Sequence, residues 1–504
     1  MQKQLVIYWV RRDFRLRDNG ALYAALQHAE KNDLEFLPLF LLDPNLLEED
    51  RWNIGYPRRW YLSRLLADFA LKFETFDILV ATPEEAFTEL AKQFKLTVFV
   101  NSDIEPYARK RDAEIQKILL EHEGKLEAFQ DQMTVDKNTL SGSGTIYSVY
   151  SPFRKKIEEE FYLAETTPKA NPDNATYHEG LDYPAAQDSE ASIRQIKYDN
   201  RASVETLAGE IFALIDTRWC LQVGDNKTIN LDEILERPGI AAHWYLNEEQ
   251  ALEQFEKFNE EAILDYKRKR DHLGEDAQGG GATSRMSPAL KWGLVTARTL
   301  KDLVLEKHNP KKSASVWHYL SELIWREFYR YILYHHPDVL YREFQDKYRG
   351  TIDWKEGTEA RDLFLKWIKG ETGYKVVDAA MHQIATEAWM HNRSRMMVAS
   401  ILTKNLGIDW KWGQEYFRAI LVDLDEASNN GGWQWAASVG ADPKPIRIFN
   451  PYSQESKYDP EGIYQQKHLP EDYDLEEPVI EHKQAREAAL ERYKVAKEKG
   501  VRDY

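Results

Sequence analysis

Apolar and polar positions along this chain keep two different rhythms, and the change between them divides it. Over the first 131 residues, short apolar runs at Leu5–Val10, Glu35–Leu42, Asp77–Ala81 and Thr97–Asn101 read as buried strands rich in Val, Ile, Leu and Phe. Between them Ala21–Lys31 and Arg58–Lys72 have helical spacing. Strands separated by helices demand right-handed crossovers, so this part is expected to form a doubly wound, parallel, Rossmann-like sheet. The usual GxGxxG does not follow the first strand. In its place stands Arg11-Arg12-Asp13-Phe14-Arg15-Leu16-Arg17-Asp18-Asn19, either a charged loop leading into a helix or the wall of a crevice at the strand ends.

From 132 to 205 the periodicity fades into polar, turn-rich stretches such as Ser141-Gly142-Ser143-Gly144, which read as a long surface linker. After residue 206 strand patterning almost vanishes. Helical spacing recurs in Glu248–Lys269, Thr296–Glu306, Val316–Tyr334, Arg361–Lys369, Lys375–Trp389, Arg393–Lys404 and Trp412–Val422. Residues 206–475 are therefore expected to be an all-α domain, and 476–504 to add a charged terminal helix over Ile480–Lys499. The fold class is α/β plus all-α.

Composition narrows the function without naming it. With 504 residues, 43% apolar and 30% charged, the chain is expected to be a soluble protein of two or more domains. No apolar run is long enough to span a bilayer, and Met1-Gln2-Lys3-Gln4 running into a strand does not read as a signal peptide. The single cysteine, Cys220, excludes an internal disulfide and a cysteine-based metal site, in keeping with a reducing cytoplasm. A net charge of −17 argues against a nonspecific coat on nucleic acid, but a local basic groove remains compatible with it.

Candidate chemistry concentrates in the helical part. Ten of the fifteen tryptophans fall after residue 290, and indole both stacks on flat heterocycles and gives up one electron readily. The competing reading is a helical core that happens to use Trp. Thr283-Ser284-Arg285-Met286-Ser287 follows Gly279-Gly280-Gly281 and opens a helix, which suits a phosphate; ordinary capping by Ser284 or Ser287 would give the same pattern. Asp423-Leu424-Asp425 precedes Asn429-Asn430-Gly431-Gly432, which reads as a glycine-rich turn beside two carboxylates. Arg393 and Arg395 flank Ser394 and must diverge, so one can pair with Asp423 while the other reaches a phosphate. Glu322, Trp325, Arg326 and Tyr329 share one helix face, placing an acid, an indole and a guanidinium together.

These segments, with Trp389–Met396, Asn429–Ser438, Arg447–Pro451, Gly373-Tyr374, Val377–Met381 and the Trp9–Asn19 run, together resemble the DNA photolyase/cryptochrome family over nearly the whole chain. The resemblance implies FAD bent inside the helical domain and active as the anionic reduced form. Tyr266 and Thr283, Ser284, Arg285, Met286 and Ser287 would hold its phosphates. Arg395, Asp423, Leu424 and Asp425 would line its sugar and ring, and Asn429 would face flavin N5. Glu322 would bond a flipped lesion, with Trp325, Met396 and Trp435 packed around it. Arg326, Asn392, Arg393 and Arg447 would face the DNA backbone. Trp433, Trp410 and Trp354 match the family's chain of oxidisable tryptophans.

The implied activity is light-dependent repair of cyclobutane pyrimidine dimers in double-stranded DNA, by a monomer working in the cytoplasm on the nucleoid. The alternative is a cryptochrome-type blue-light receptor. Plant-type receptors carry Asp where Asn429 stands and usually append a long tail, which favours repair. Trp435 favours duplex over single strands, and Trp389-Met390-His391-Asn392 is cyclobutane-type rather than (6-4)-type wording. A second antenna chromophore (folate, deazaflavin or flavin) would sit near Arg51–Arg58 and Glu105. Its identity is open, because Trp52 stands where folate-binding members tend to have histidine.

Overall fold

A computed structural model describes residues 2–47, 54–185, 192–224, 227–277, 281–441, 446–475 and 477–500. Trp52, and with it part of the expected antenna segment, lies outside the described residues, as do Gly279 and Gly280.

The first part is a six-stranded sheet in the order β5-β4-β1-β2-β3-β6, with β1 Lys3–Val10, β2 Glu35–Leu42, β3 Asp77–Val80, β4 Phe94–Ser102, β5 Lys125–Gln130 and β6 Arg194–Gln195. All neighbours pair in parallel except β3 with β6, which is antiparallel. The helices between the strands are α1 Gly20–Asn32, α2 Tyr56–Ala70, α3 Pro83–Gln93 and α4 Pro106–Glu121. The four apolar runs are the central strands, because residues buried on both faces leave an unbroken hydrophobic signature. The two strands that apolar content misses are the edges. β5 has only exposed and half-buried positions, and β6 is only two residues long.

The charged run after β1 is neither a solvated loop nor an open crevice. Asp13 accepts from Tyr8 at 2.7 Å and from Asn101 at 2.6 Å, and Asp18 pairs with Arg298 at 3.0 Å across to the helical part. Arg12 is bound to Asp103 and to Glu105, the latter at 2.7 Å. Buried charges of this kind are costly unless paired, and here they are paired.

Residues 132–205 depart from the expected bare linker. They contain α5 Tyr150–Leu163, which buries Phe153, Ile157 and Phe161, besides the edge strand β6. Those three aromatic and aliphatic residues recur at helical spacing, but the polar stretches on either side dilute the signal.

The helical part carries α6 Ser287–Trp292, α7 Ala314–His335, α8 Lys375–Glu387, α9 Asn392–Ser400, α10 Trp410–Ile420, α11 Glu426–Ala436 and α12 His482–Gly500, with further helices besides these. A short hairpin, β7 Cys220–Val223 with β8 Lys227–Asn230, is its one sheet among the described residues, so all-α holds for the body but not for this edge. Three helix boundaries differ from expectation for visible reasons. Glu248–Lys269 is broken after Glu260 by a 3-10 turn at Ala262–Asp265, and the break turns Tyr266 inward. Lys375–Trp389 ends at Glu387 because Ala388 adopts φ 53°, which swings Trp389 out to donate to Ser287 at 3.1 Å. The stretch after α9 winds into a π-helical turn, Ile401–Leu406.

Candidate functional site

Helices α6, α7, α9, α10 and α11 surround a cavity of about 680 Å³, within the range that holds a cofactor-sized ligand. Its wall includes Tyr266, Ser284, Met286, Ser287, Glu322, Trp325, Arg326, Asn392, Arg395, Met396, Asp423, Leu424, Asp425, Asn429, Trp433, Trp435 and Arg447. Residues from six separate sequence segments thus converge on one cavity.

The segment Asn429–Gly432 is not a turn. It lies inside α11, whose N-cap is Asp425, accepting from Ser428 N–H at 2.9 Å. One of its two glycines serves close packing instead. A Cβ at Gly431 would stand 2.1 Å from the Tyr329 ring, whereas Gly432 faces open space in the cavity wall. Positions 429, 432, 433 and 435 of one rigid helix therefore meet the same space.

Polar groups in this wall are only partly satisfied by the protein. Arg395 donates to Asp423 Oδ2 at 2.7 Å and to the Met390 carbonyl at 2.8 Å, so it is the inward member of the diverging pair. Asp423 Oδ1 and Asn429 Oδ1 are buried with no hydrogen-bond partner among the described residues. Such atoms cost free energy unless a ligand or water completes them. Asp425 accepts from Arg330 at 2.6 Å. Burial alone would raise its pKa, but Arg330, Arg326 and Lys291 hold it far below the usual carboxylate range.

The Thr283–Ser287 segment divides at Arg285, which has φ 52°. Ser284, Met286 and Ser287 reach the cavity, while Thr283 and Arg285 face a second, polar pocket of about 420 Å³. Arg285 pairs with Asp276 at 2.9 Å and Glu387 at 3.4 Å, and Thr283 donates to Asp276 at 2.8 Å. Neither serine caps α6: its N-cap is Met286, without a side-chain bond. The capping alternative is thus not realised, and the side chains of Thr283 and Arg285 do not join the cavity.

Glu322, Trp325, Arg326 and Tyr329 do share the cavity face of α7. Glu322 is ion-paired to Arg270, which also lies 5.3 Å over the Tyr266 ring. Trp325 is stacked on Tyr150 from α5, with ring centroids 3.4 Å apart. Arg447 lies 5.1 Å over Trp435, and the Asn392 amide touches Met396 sulfur at 3.8 Å. Two of the expected outward arginines are placed otherwise. Arg393 is 14% exposed, bound to Asp271 at 2.8 Å and stacked 4.3 Å from Tyr458, and it does not line the cavity. Arg326 is 16% exposed and donates to the Gln132 and Leu290 carbonyls at 3.4 Å, so it faces the cavity rather than open solvent.

Trp433 is buried, with no partner for its indole N–H among the described residues, and packs on Phe417 at 5.0 Å and Trp367 at 6.1 Å. A Cβ at Gly413 would stand 2.0 Å from its ring, so Trp433 lies on α10 one turn from Trp410. Trp410 is buried and donates to Glu343 at 3.1 Å, and Trp354 is half-buried beside Tyr493. Trp433 thus lines the cavity, Trp410 is fully buried and Trp354 is half-buried.

Lys291, Arg270 and Tyr150 escaped the sequence reading. Arg270 ends a basic run that looks like a solvated helix end, and Tyr150 sits in the nominal linker. Lys291 lines the cavity although only 8% exposed. Burial first, then the Arg12 and Arg58 charges, lower its pKa to about 8, with Glu105 and Asp425 opposing. The unfolded chain then binds more protons than the folded one between about pH 8 and the ordinary value of 10.5, so this group makes stability rise with pH across that window. Lys291→Met is expected to be more stable than wild type at pH 7, with the gap closing towards pH 10. Thermal unfolding across that range without added ligand checks it, and a pH-independent gap would refute it.

Residues 319–502 match the family model of the FAD binding domain of DNA photolyase, and residues 6–173 match that of DNA photolyase. Over 478 residues the chain is 34% identical to the deoxyribodipyrimidine photo-lyase of Synechococcus sp., covering 92% of this chain and 88% of the relative. Its structure is similar to that of a bacterial class III photolyase from Agrobacterium tumefaciens, with 26% identity and a TM-score of 0.77 over 99% and 98% of the two chains. A cryptochrome from Synechocystis sp. shares the fold at 22% identity, with a TM-score of 0.73 over 98% and 99% of the chains.

Proposed function

Because the chain belongs to the DNA photolyase/cryptochrome family and carries its FAD-binding domain, we propose that it is a deoxyribodipyrimidine photo-lyase that repairs cyclobutane pyrimidine dimers in double-stranded DNA under light. The carrying observation is a single cavity that combines two unpartnered buried oxygens, on Asp423 and Asn429, with the indoles of Trp325 and Trp435.

FAD fits these residues. The orphaned oxygens call for donors such as ring N–H or sugar hydroxyl groups, and the bare Gly432 leaves room for a flat ligand. Asp423, Arg395, Asp425 and Asn429 would hold its sugar and ring, with Tyr266, Ser284, Met286 and Ser287 towards its phosphates. When bound and reduced, FAD supplies one photoexcited electron, which no side chain can. The protein's own share is placement. Trp325 and Trp435 replace the stacking an extruded lesion loses, worth about 1–3 kcal/mol per base. Arg270 is ion-paired to Glu322 at the cavity wall, so the donor this pair would offer a lesion carbonyl is the Arg270 guanidinium, which Glu322 positions. Asn429 is neutral and cannot acidify the site.

In this reading residues 1–131 are an antenna domain, 132–205 a linker, 206–475 the helical FAD-binding catalytic domain and 476–504 a charged C-terminal helix. The protein acts as a monomer on chromosomal DNA in the cytoplasm. No helix among the described residues is long and apolar enough to cross a membrane.

Irradiating dimer-containing duplex with the reduced protein should restore intact pyrimidines, with none restored in a dark control. Flavin reduction without restoration would move the protein to the light-receptor alternative. Glu322→Ala should lower the number of dimers split per absorbed photon several-fold while leaving lesion binding largely intact. An unchanged yield would remove Glu322 from the site.

A further inference from the structure

Tyr150 is the first residue of α5 and lies flat on Trp325, with ring centroids 3.4 Å apart and planes 7° from parallel. The rings are therefore almost directly superposed, whereas aromatic pairs free to choose settle into offset or edge-on arrangements. The phenol lines the same cavity as the indole, flanked by Val149 and Ser151. It is a six-membered planar ring on the indole that the proposed function gives to an extruded pyrimidine.

The two partners are anchored unequally. Trp325 sits in the middle of the 22-residue α7, against the edge of Phe328 at 5.9 Å and against Tyr329 at 5.8 Å. Tyr150 starts its helix after Val149, an N-cap with no side-chain bond, and follows an exposed stretch at 142–145 that includes Gly144 at φ 76°. One polar tether holds the ring, the hydroxyl donating to the Ser321 carbonyl at 3.0 Å. The edge of Phe328 touches it at 5.8 Å.

We infer that Tyr150 is a substrate-site residue: it occupies the base-stacking face of Trp325 in the free protein and is the side chain an incoming pyrimidine displaces. The inference rests on the repair reading, and it makes Tyr150 a competitor of the lesion rather than part of a fixed wall. Displacement exchanges one stack for another, so only a ligand bringing more contact than the phenol gains entry.

The test measures dark binding of the FAD-loaded protein to duplex carrying one thymine dimer and to the same duplex undamaged. Tyr150→Ala should bind the dimer duplex about three- to tenfold more tightly than wild type, the worth of an aromatic pair. Tyr150→Phe, which keeps the ring but cuts the tether to Ser321, should gain about twofold. Weaker binding by Tyr150→Ala would make the tyrosine a supporting wall and overturn the inference, and so would unchanged affinity. Should Tyr150→Ala fail to fold, unchanged or weaker binding by Tyr150→Phe overturns it equally. A wild type that cannot tell damaged from undamaged duplex would instead sink the repair reading.

Discussion

Replacing Asp425 by alanine should cost about 3–5 kcal/mol of folding free energy and abolish retention of FAD, because the change strands a buried guanidinium. Arg330 is only 2% exposed, and Asp425 is its carboxylate partner, at 2.6 Å. The same side chain accepts from Ser428 N–H at the start of α11, so its loss also uncaps the helix that carries Asn429 and Trp433. Chemical denaturation and flavin absorbance of the purified variant check both parts. The pH dependence has a definite sign. A carboxyl held far below its usual range contributes stability above the ordinary value of 3.8, and loses it only as pH falls through the depressed one. Wild type should therefore keep its advantage over Asp425→Ala undiminished down to about pH 4. Equal stability at pH 7 would show that Arg330 is compensated elsewhere.

Trp433→Phe should slow photoreduction of oxidised flavin by more than tenfold, while pre-reduced protein goes on repairing. One electron changes hands per photon; phenylalanine preserves most of the volume but is far harder to oxidise. The indole N–H has no partner among the described residues, so the swap breaks no hydrogen bond and should cost little beyond packing. Time-resolved absorption at fixed flavin occupancy separates the two activities. Equal loss of both would contradict the assignment of Trp433, Trp410 and Trp354 as the route, and an unaffected photoreduction would point to another donor, such as Trp367 at 6.1 Å.

The central strands were legible because burial on both faces leaves continuous apolar runs; β5 and β6 were not, since an edge has only one face to bury, or too few residues to show a pattern. Within the site, side chains that act through type and helical spacing could be read in advance, as with Glu322, Trp325 and Arg326 on α7. What stayed hidden depends on tertiary partners. Nothing local indicates that Arg270 meets Glu322, that Asp271 captures Arg393, or that a residue between polar stretches reaches Trp325. The glycines before Trp433 misled for the opposite reason. Their usual meaning is a turn, yet here the missing Cβ lets α11 lie against Tyr329.

That helix has one more implication. Asn429, Gly432, Trp433 and Trp435 ride on a single rod, which rises 1.5 Å and turns about 100° with every residue. Under the proposed function, redox relay, ring contact and base platform would thereby be geared together, like teeth on one shaft. Evolution can exchange the side chains one at a time, but adding or deleting a single residue between 429 and 435 would rotate part of the set out of mesh with the rest.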